Sequence, residues 1–133
     1  MKRENNFKIS QMIEEEITIV KMRADLTLWI CDIDFWMDDL EDCQKTLEDN
    51  LVKIDELEEK KRLEQFQNQI IYYTGELLPE FKKELAQQQI KLEGTADVGK
   101  IAEKYHDLDE RGAAIHEQMK ERRRQIDLFI NNI

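Results

Sequence analysis

From Ile19 to Leu57 an apolar residue recurs at alternating steps of three and four, over nearly six heptads, with Asn50 the one polar member. With Leu26 at position a, the a row reads Ile19, Leu26, Ile33, Leu40, Leu47 and Ile54. The d row reads Met22, Trp29, Trp36, Cys43, Asn50 and Leu57. That spacing places the whole set on one stripe of an α-helix, and sustained a/d patterning means the stripe lies along other helices. Trp29 and Trp36 stand one heptad apart. Two indoles along a seam need wide holes, which takes at least two partner helices. The row therefore predicts a long helical bundle in which both indoles point inward.

Composition narrows the alternatives. The 133 residues fit one domain. They are 38% charged and 41% hydrophobic, with one Pro and four Gly. This is too apolar for disorder and too poor in turn residues for a β-protein. No run approaches the ~18 apolar residues of a membrane span, and the start, Met-Lys-Arg-Glu-Asn-Asn, lacks the apolar stretch of a signal peptide. Two cysteines without secretory features read as reduced thiols, which implies a cytoplasmic setting. Net charge is −10, and residues 1–60 hold 17 acids against 8 bases. Nucleic acid and anionic membrane are thus poor partners, because phosphate surfaces would be repelled.

Three helical segments can be drawn. The first starts near Asn6 and carries the tryptophan row; residues 1–19 lead into it and residues 20–133 form the rod itself. Its end is not marked by Gly or Pro. Asn50 at a d position and the capping-box spacing Thr46-Leu47-Glu48-Asp49 place the turn near 44–50. A single helix running on to about residue 60 is the competing reading. The second segment carries Leu63, Phe66, Ile70, Tyr73 and Leu77, then Phe81, Leu85 and Leu92. Two successive steps of four around Leu77 make a stutter. Pro79 lies inside it, removing a helical donor, so this segment is expected either to bend or to split. Gly94 suits a helix C-terminus, and Thr95 and Asp97 suit the next N-terminus. The third helix runs Val98, Ile101, Tyr105, Leu108, Gly112, Ile115, Met119, Arg122, Ile126, Phe129, Ile133. Gly112 is expected to let a helix or a tryptophan ring approach closely. Arg122, at a core-type position, needs an acidic partner or an exit to solvent.

Long helices joined by short turns pack up-down-up. The fold expected is all-α: an elongated three-helix antiparallel left-handed coiled-coil bundle. A helix of about 38 residues spans roughly 57 Å, which makes the body a rod. In that topology Asp38, Asp39 and Asp42 of the first helix lie at the same end as Arg122, Arg123 and Arg124 of the third, so these are candidates for electrostatic pairing.

At this point the chain resembles a spectrin repeat over about residues 20–133. The segment Leu28-Trp29-Ile30-Cys31-Asp32-Ile33-Asp34-Phe35-Trp36-Met37 is similar to the paired-tryptophan segment that opens the first rod repeat of α-actinin. Leu63-Glu64-Gln65-Phe66 resembles the second helix of such a repeat, and Ile101 to Arg124 the third. Phe35 departs from the family pattern, where a proline is familiar, and Gly112 replaces a usually large residue. The resemblance implies a three-helix bundle, a cytoskeletal setting, and a piece of a longer protein reached by an upstream helix. It also implies that actin would be bound by domains outside this chain.

Sequences that look chemical fare poorly. Glu103-x-x-His106 has the spacing of half a di-iron site, but His116 has Ala113 three residues before it, so no second copy exists. Asp107 to Gly112 opens like a calcium loop, yet Arg111 and Gln118 occupy positions five and twelve where oxygen ligands are required. Ser10 and Cys43 lack any pattern of nucleophile activation. No catalytic residue, cofactor or metal is therefore expected. The expected function is structural: a spacer and antiparallel dimerisation segment of an actin-crosslinking, α-actinin-like protein. The alternative is a monomeric helical adaptor whose acidic first helix docks a partner. Ile30, Met37 and Leu51 at e positions widen the stripe of the first helix in either case, and Met12, Ile13 and Ile17 lie beyond the expected reach of the other two helices.

Overall fold

The computed structural model describes residues 2–94 and 98–133, with side chains at 8–11, 16, 18–94 and 99–133. Met12, Ile13, Ile17, Thr95, Asp97 and the Val98 side chain lie outside that set. All four major elements are helices: α1 (Lys2–Asp49), α2 (Leu57–Tyr72), α3 (Leu78–Gly94) and α4 (Val98–Asn131). A 3-10 turn (Leu51–Lys53) follows α1, and a π-turn (Tyr73–Leu77) joins α2 to α3 without a break in helix. No described helix is long and apolar enough to cross a membrane.

Helix α1 stops at the far edge of the expected turn rather than within it. Thr46 is not an N-cap: its hydroxyl donates to the Asp42 carbonyl inside the helix (3.0 Å). Asn50 does the terminating: its backbone N–H (3.2 Å) and its Nδ2 (2.7 Å) both donate to the Thr46 carbonyl, filling both acceptor sites of that last-turn oxygen. Ile54 is buried beneath this turn, whereas Leu51 and Leu57 are exposed. The a row therefore stays buried to its last member, whereas the d row is last buried at Cys43.

Pro79 neither splits the helix nor leaves an ordinary α register. The Leu78 amide reaches back to the Tyr73 carbonyl, five residues earlier. This wide turn relieves the clash between a proline ring and the carbonyl four residues before it. Thr74, donating to the Ile70 carbonyl (2.8 Å), and Gly75, a weak helix former, share the segment. The extra residue rotates the seam, so Leu78 is fully buried and Leu77 only partly.

Polar contacts fix how the helices lie. Asp34 pairs with Lys82 (2.6 Å) and Thr27 with Gln89 (3.0 Å), so α1 and α3 run in opposite senses. Glu84 meets Lys104 and Arg111, while Tyr73 accepts from Gln118, which opposes the second segment to α4. Tyr105 donates to Asp25 and Arg123 to Asp39, so α1 and α4 run the same way. Arg23 donates to the Leu92 carbonyl (3.2 Å), placing a cation at the C-terminal end of α3 where the helix dipole favours it.

One apolar core runs through the bundle. Leu26, Ile33, Trp36 and Leu40 of α1 are buried in it, with Phe66, Ile70, Tyr73 and Phe81 of the second segment. Helix α4 contributes Ile101, Tyr105, Leu108, Ile115 and Met119. Trp29 differs from the expected burial: it is partly exposed and packs against the edge of the core. Gln88, overlooked in the sequence, is buried between Leu85 and Leu92 and donates to the Ile101 carbonyl (3.1 Å).

Gly112 meets neither a tryptophan nor a helix backbone. A methyl group at its Cβ position would lie 3.5 and 3.7 Å from two atoms of the Phe81 ring, which is ordinary contact. Gly112→Ala is thus expected to raise stability by about 0.5–1 kcal/mol, the helix-propensity difference. Thermal unfolding followed by circular dichroism checks it; a loss of stability would mean the helices sit closer here than described.

Candidate functional site

Two interhelical surfaces collect the polar chemistry of the bundle. On the α3–α4 side, Glu84 receives Lys104 (3.2 Å) and the forked guanidinium of Arg111, which also pairs with Asp107 (3.2 Å). The hydrogen bonds from Arg111 hold the Glu84 carboxyl below the usual carboxylate range. Arg111 also lies over the Phe81 ring, 5.3 Å from its centroid. All these groups are substantially solvated, so each pair contributes only about 0–1 kcal/mol. Asp107 is thereby engaged in ion pairing with both Lys104 and Arg111.

On the α1–α4 side, acids of α1 that share a heptad position face α4. Asp25 accepts from the Tyr105 hydroxyl. Burial, then this bond and the Asp25 charge, push the Tyr105 phenol up to about 12 from its usual 10.0. A raised folded-state pKa stabilises the bundle fully below pH 10 and loses that contribution as pH rises toward 12. Alkaline titration of unfolding free energy should therefore fall more steeply for the parent than for Tyr105→Phe across that window. Parallel curves would contradict the assignment.

Two heptads further on, Asp39 accepts from Arg123 (2.7 Å), which also lies 3.1 Å from the Cys43 sulfur and pairs with Asp127 (3.2 Å). Burial pushes the Cys43 thiol up, against the opposing pull of Arg123, so it stays protonated at neutral pH. Of the expected pairing set, only Arg123 and Asp39 meet. Arg124 pairs within its own helix with Glu121 (2.6 Å). Arg122 finds polar but not acidic partners, donating to Gln125 (2.9 Å) and Tyr73 (3.5 Å), with its Nε buried and unpaired. Asp38 and Asp42 make no ion pair among the described residues. Consecutive residues on a helix point about 100° apart, so three adjacent arginines cannot all face one neighbour.

Between those two anchors lies a cleft of about 240 Å³. Trp29 and Trp36 line it from α1, Gly112 and Ala113 from α4, and Phe81 also contributes. Trp29 stacks on Tyr105 with ring centroids 5.3 Å apart, and Trp36 meets His116 edge-on at 5.4 Å. Asp32, midway between Asp25 and Asp39, stands in the lining with Asp109. The sequence reading places both indoles in the core and does not single out this cleft.

Among the described residues no group of three or more His, Cys, Asp or Glu side chains converges as a metal site would. Glu103 and His106 are both exposed. Cys31 is a free, exposed thiol. Compared with known proteins, the chain matches no family model, no curated protein and no solved structure.

Proposed function

We propose that the chain is a structural rod: a three-helix, antiparallel, left-handed coiled-coil bundle of the spectrin-repeat type. Its role on this reading is that of a spacer and antiparallel dimerisation segment in an α-actinin-like, actin-crosslinking protein of the cytoplasm. Actin would be engaged only by domains outside this chain, and the segment itself carries no catalysis. The observation that supports the reading is the length of the core, which extends from Met22, Leu92 and Ile101 at one end to Ile54, Leu63 and Ile126 at the other. A seam of that kind resists bending and sets a fixed separation between whatever is joined to its ends. The 3.5-residue repeat favours a left-handed supercoil. Helix α1 also begins well ahead of Met22, which gives a second chain a helix to join.

Light scattering combined with small-angle X-ray scattering tests this reading. The expected result is an elongated particle of twice the chain mass. A compact particle would overturn the rod, and a monomer at high concentration would overturn the dimer.

A second reading, a monomeric adaptor with an acidic docking face, rests on a different observation. Asp32, Asp38, Glu41 and Asp42 form no ion pair among the described residues, and Leu28 and Phe35 beside them are 58% and 59% exposed. It requires monomer mass together with partner binding.

A further inference from the structure

The row Asp25, Asp32, Asp39 repeats one acid at one heptad position. Two of the three are answered from α4, by the Tyr105 hydroxyl and by Arg123. At the level of Asp32, α4 offers instead Asp109, Gly112, Ala113 and His116, and the lining contains two carboxylates and no Lys or Arg. Neither the Asp32 nor the Asp109 side chain makes a hydrogen bond or ion pair among the described residues. At this level Asp32 therefore lacks the α4 partner that Asp25 finds in a phenol and Asp39 in a guanidinium. Both indoles line the cleft, Trp29 partly exposed with one face stacked on Tyr105 and Trp36 only 8% exposed, and indole is the side chain whose ring attracts cations most strongly.

Packing does not demand the opening. An alanine at position 112 would meet Phe81 at ordinary contact distance and would suit the helix better. Immediately outside the cleft, Leu28 and Phe35 are exposed one heptad apart, flanking Asp32, and the Phe35 ring meets Trp36 edge-on at 5.2 Å. Apolar groups spaced at i and i+7 around a charged group are what an amphipathic helix laid along α1 would match.

We propose that this cleft is a docking site for a basic amphipathic helix of a partner protein. The partner's arginine or lysine enters between Asp32 and Asp109 beside the partly exposed Trp29, while its apolar residues cover Leu28 and Phe35. A second copy of this chain suits the face poorly if it presents its own α1, since Asp32 would then face Asp32 and like charges repel. The proposal deepens the docking reading and does not depend on the spacer reading. Chain mass and shape test the spacer, and peptide binding tests the cleft, so the two can fail separately.

The test uses the full chain and its own two tryptophans, the only ones in the sequence, as the optical probe. A tryptophan-free helical peptide carrying leucines at i and i+7 and arginine at i+4 is titrated while indole emission is followed. A twin with glutamate in place of arginine is the control. The basic peptide should shift the emission and saturate in roughly the micromolar range, weakening as salt rises, while the acidic twin stays silent. The double variant Asp32→Asn/Asp109→Asn changes two exposed side chains and should bind at least about tenfold more weakly. Gly112→Ala, which narrows the cleft, should also bind more weakly with its helix content unchanged. No emission change at concentrations on the order of a millimolar would overturn the proposal. So would equal binding by the asparagine variant, or equal binding of the acidic twin. A parent that forms a dimer which the asparagine variant tightens would assign the face to a second copy, and would overturn it too.

Discussion

Replacing Trp36 by Ala should destabilise the bundle by about 3–5 kcal/mol, whereas the same change at Trp29 should lose only about 1–3 kcal/mol. Both indoles occupy d positions one heptad apart, so spacing alone would assign them equal weight. The structure separates them. Trp36 is 8% exposed and lies among Ile33, Leu40 and the α4 face, so truncation opens a cavity inside packed surroundings. Trp29 is partly exposed and stacks on Tyr105 at the edge of the core, so much of the vacated space becomes solvent. For a domain whose net stability is about 5–15 kcal/mol, the first loss is a large share and the second a tolerable one. Urea unfolding followed by circular dichroism distinguishes them, since indole emission changes with the mutation itself. Equal losses would mean that Trp29 is as enclosed as its partner and that the cleft beside it is closed.

The second large effect is expected across the π-turn. Leu78→Ala should lose about 2–5 kcal/mol, because Leu78 is fully enclosed, and Leu77→Ala less than about 1.5 kcal/mol. An uninterrupted α-helix through Pro79 gives the reverse ranking, since Leu77 continues the rhythm of Ile70 and Tyr73. Denaturant midpoints of the two variants decide between them. A larger loss at position 77 would show that the chain takes the ordinary register and that the wide turn is absent.

How far the fold could be read from residues follows from these same positions. The α1 seam was legible because long runs of three-four spacing leave a helix no other way to bury Leu26, Ile33 and Leu40. The break after α1 was less so, because it rests on Asn50 turning back on the Thr46 carbonyl and not on a Gly or Pro. The stutter and Pro79 announced irregularity around Leu77 but not its form. A bend, a split and a one-residue π insertion all relieve the same steric clash, and only packing against the other helices selects one. Charge complementarity between Asp38, Asp39, Asp42 and Arg122, Arg123, Arg124 located the right end of the bundle. It overstated the contact, since only Arg123 and Asp39 point at each other.

The cleft was least legible of all. It depends on what α4 lacks opposite Asp32, and a heptad reading marks residues that fill a seam rather than those that leave it open. The sequence marks Gly112 as a place of close approach, where its effect is to leave space between Trp36 and Phe81.

Helices α1 and α4 run the same way along one core while the second segment opposes them. Proton NMR on the unmodified chain tests it through aromatic contacts, because the rings of Trp29 and Tyr105, Trp36 and His116, and Phe66 and Phe129 lie 5.3, 5.4 and 5.5 Å apart between centroids. Nuclear Overhauser effects should link each of these three pairs within a single chain. Effects joining Trp29 to His116 and Trp36 to Tyr105 instead would reverse α4 against α1 and rule out this topology.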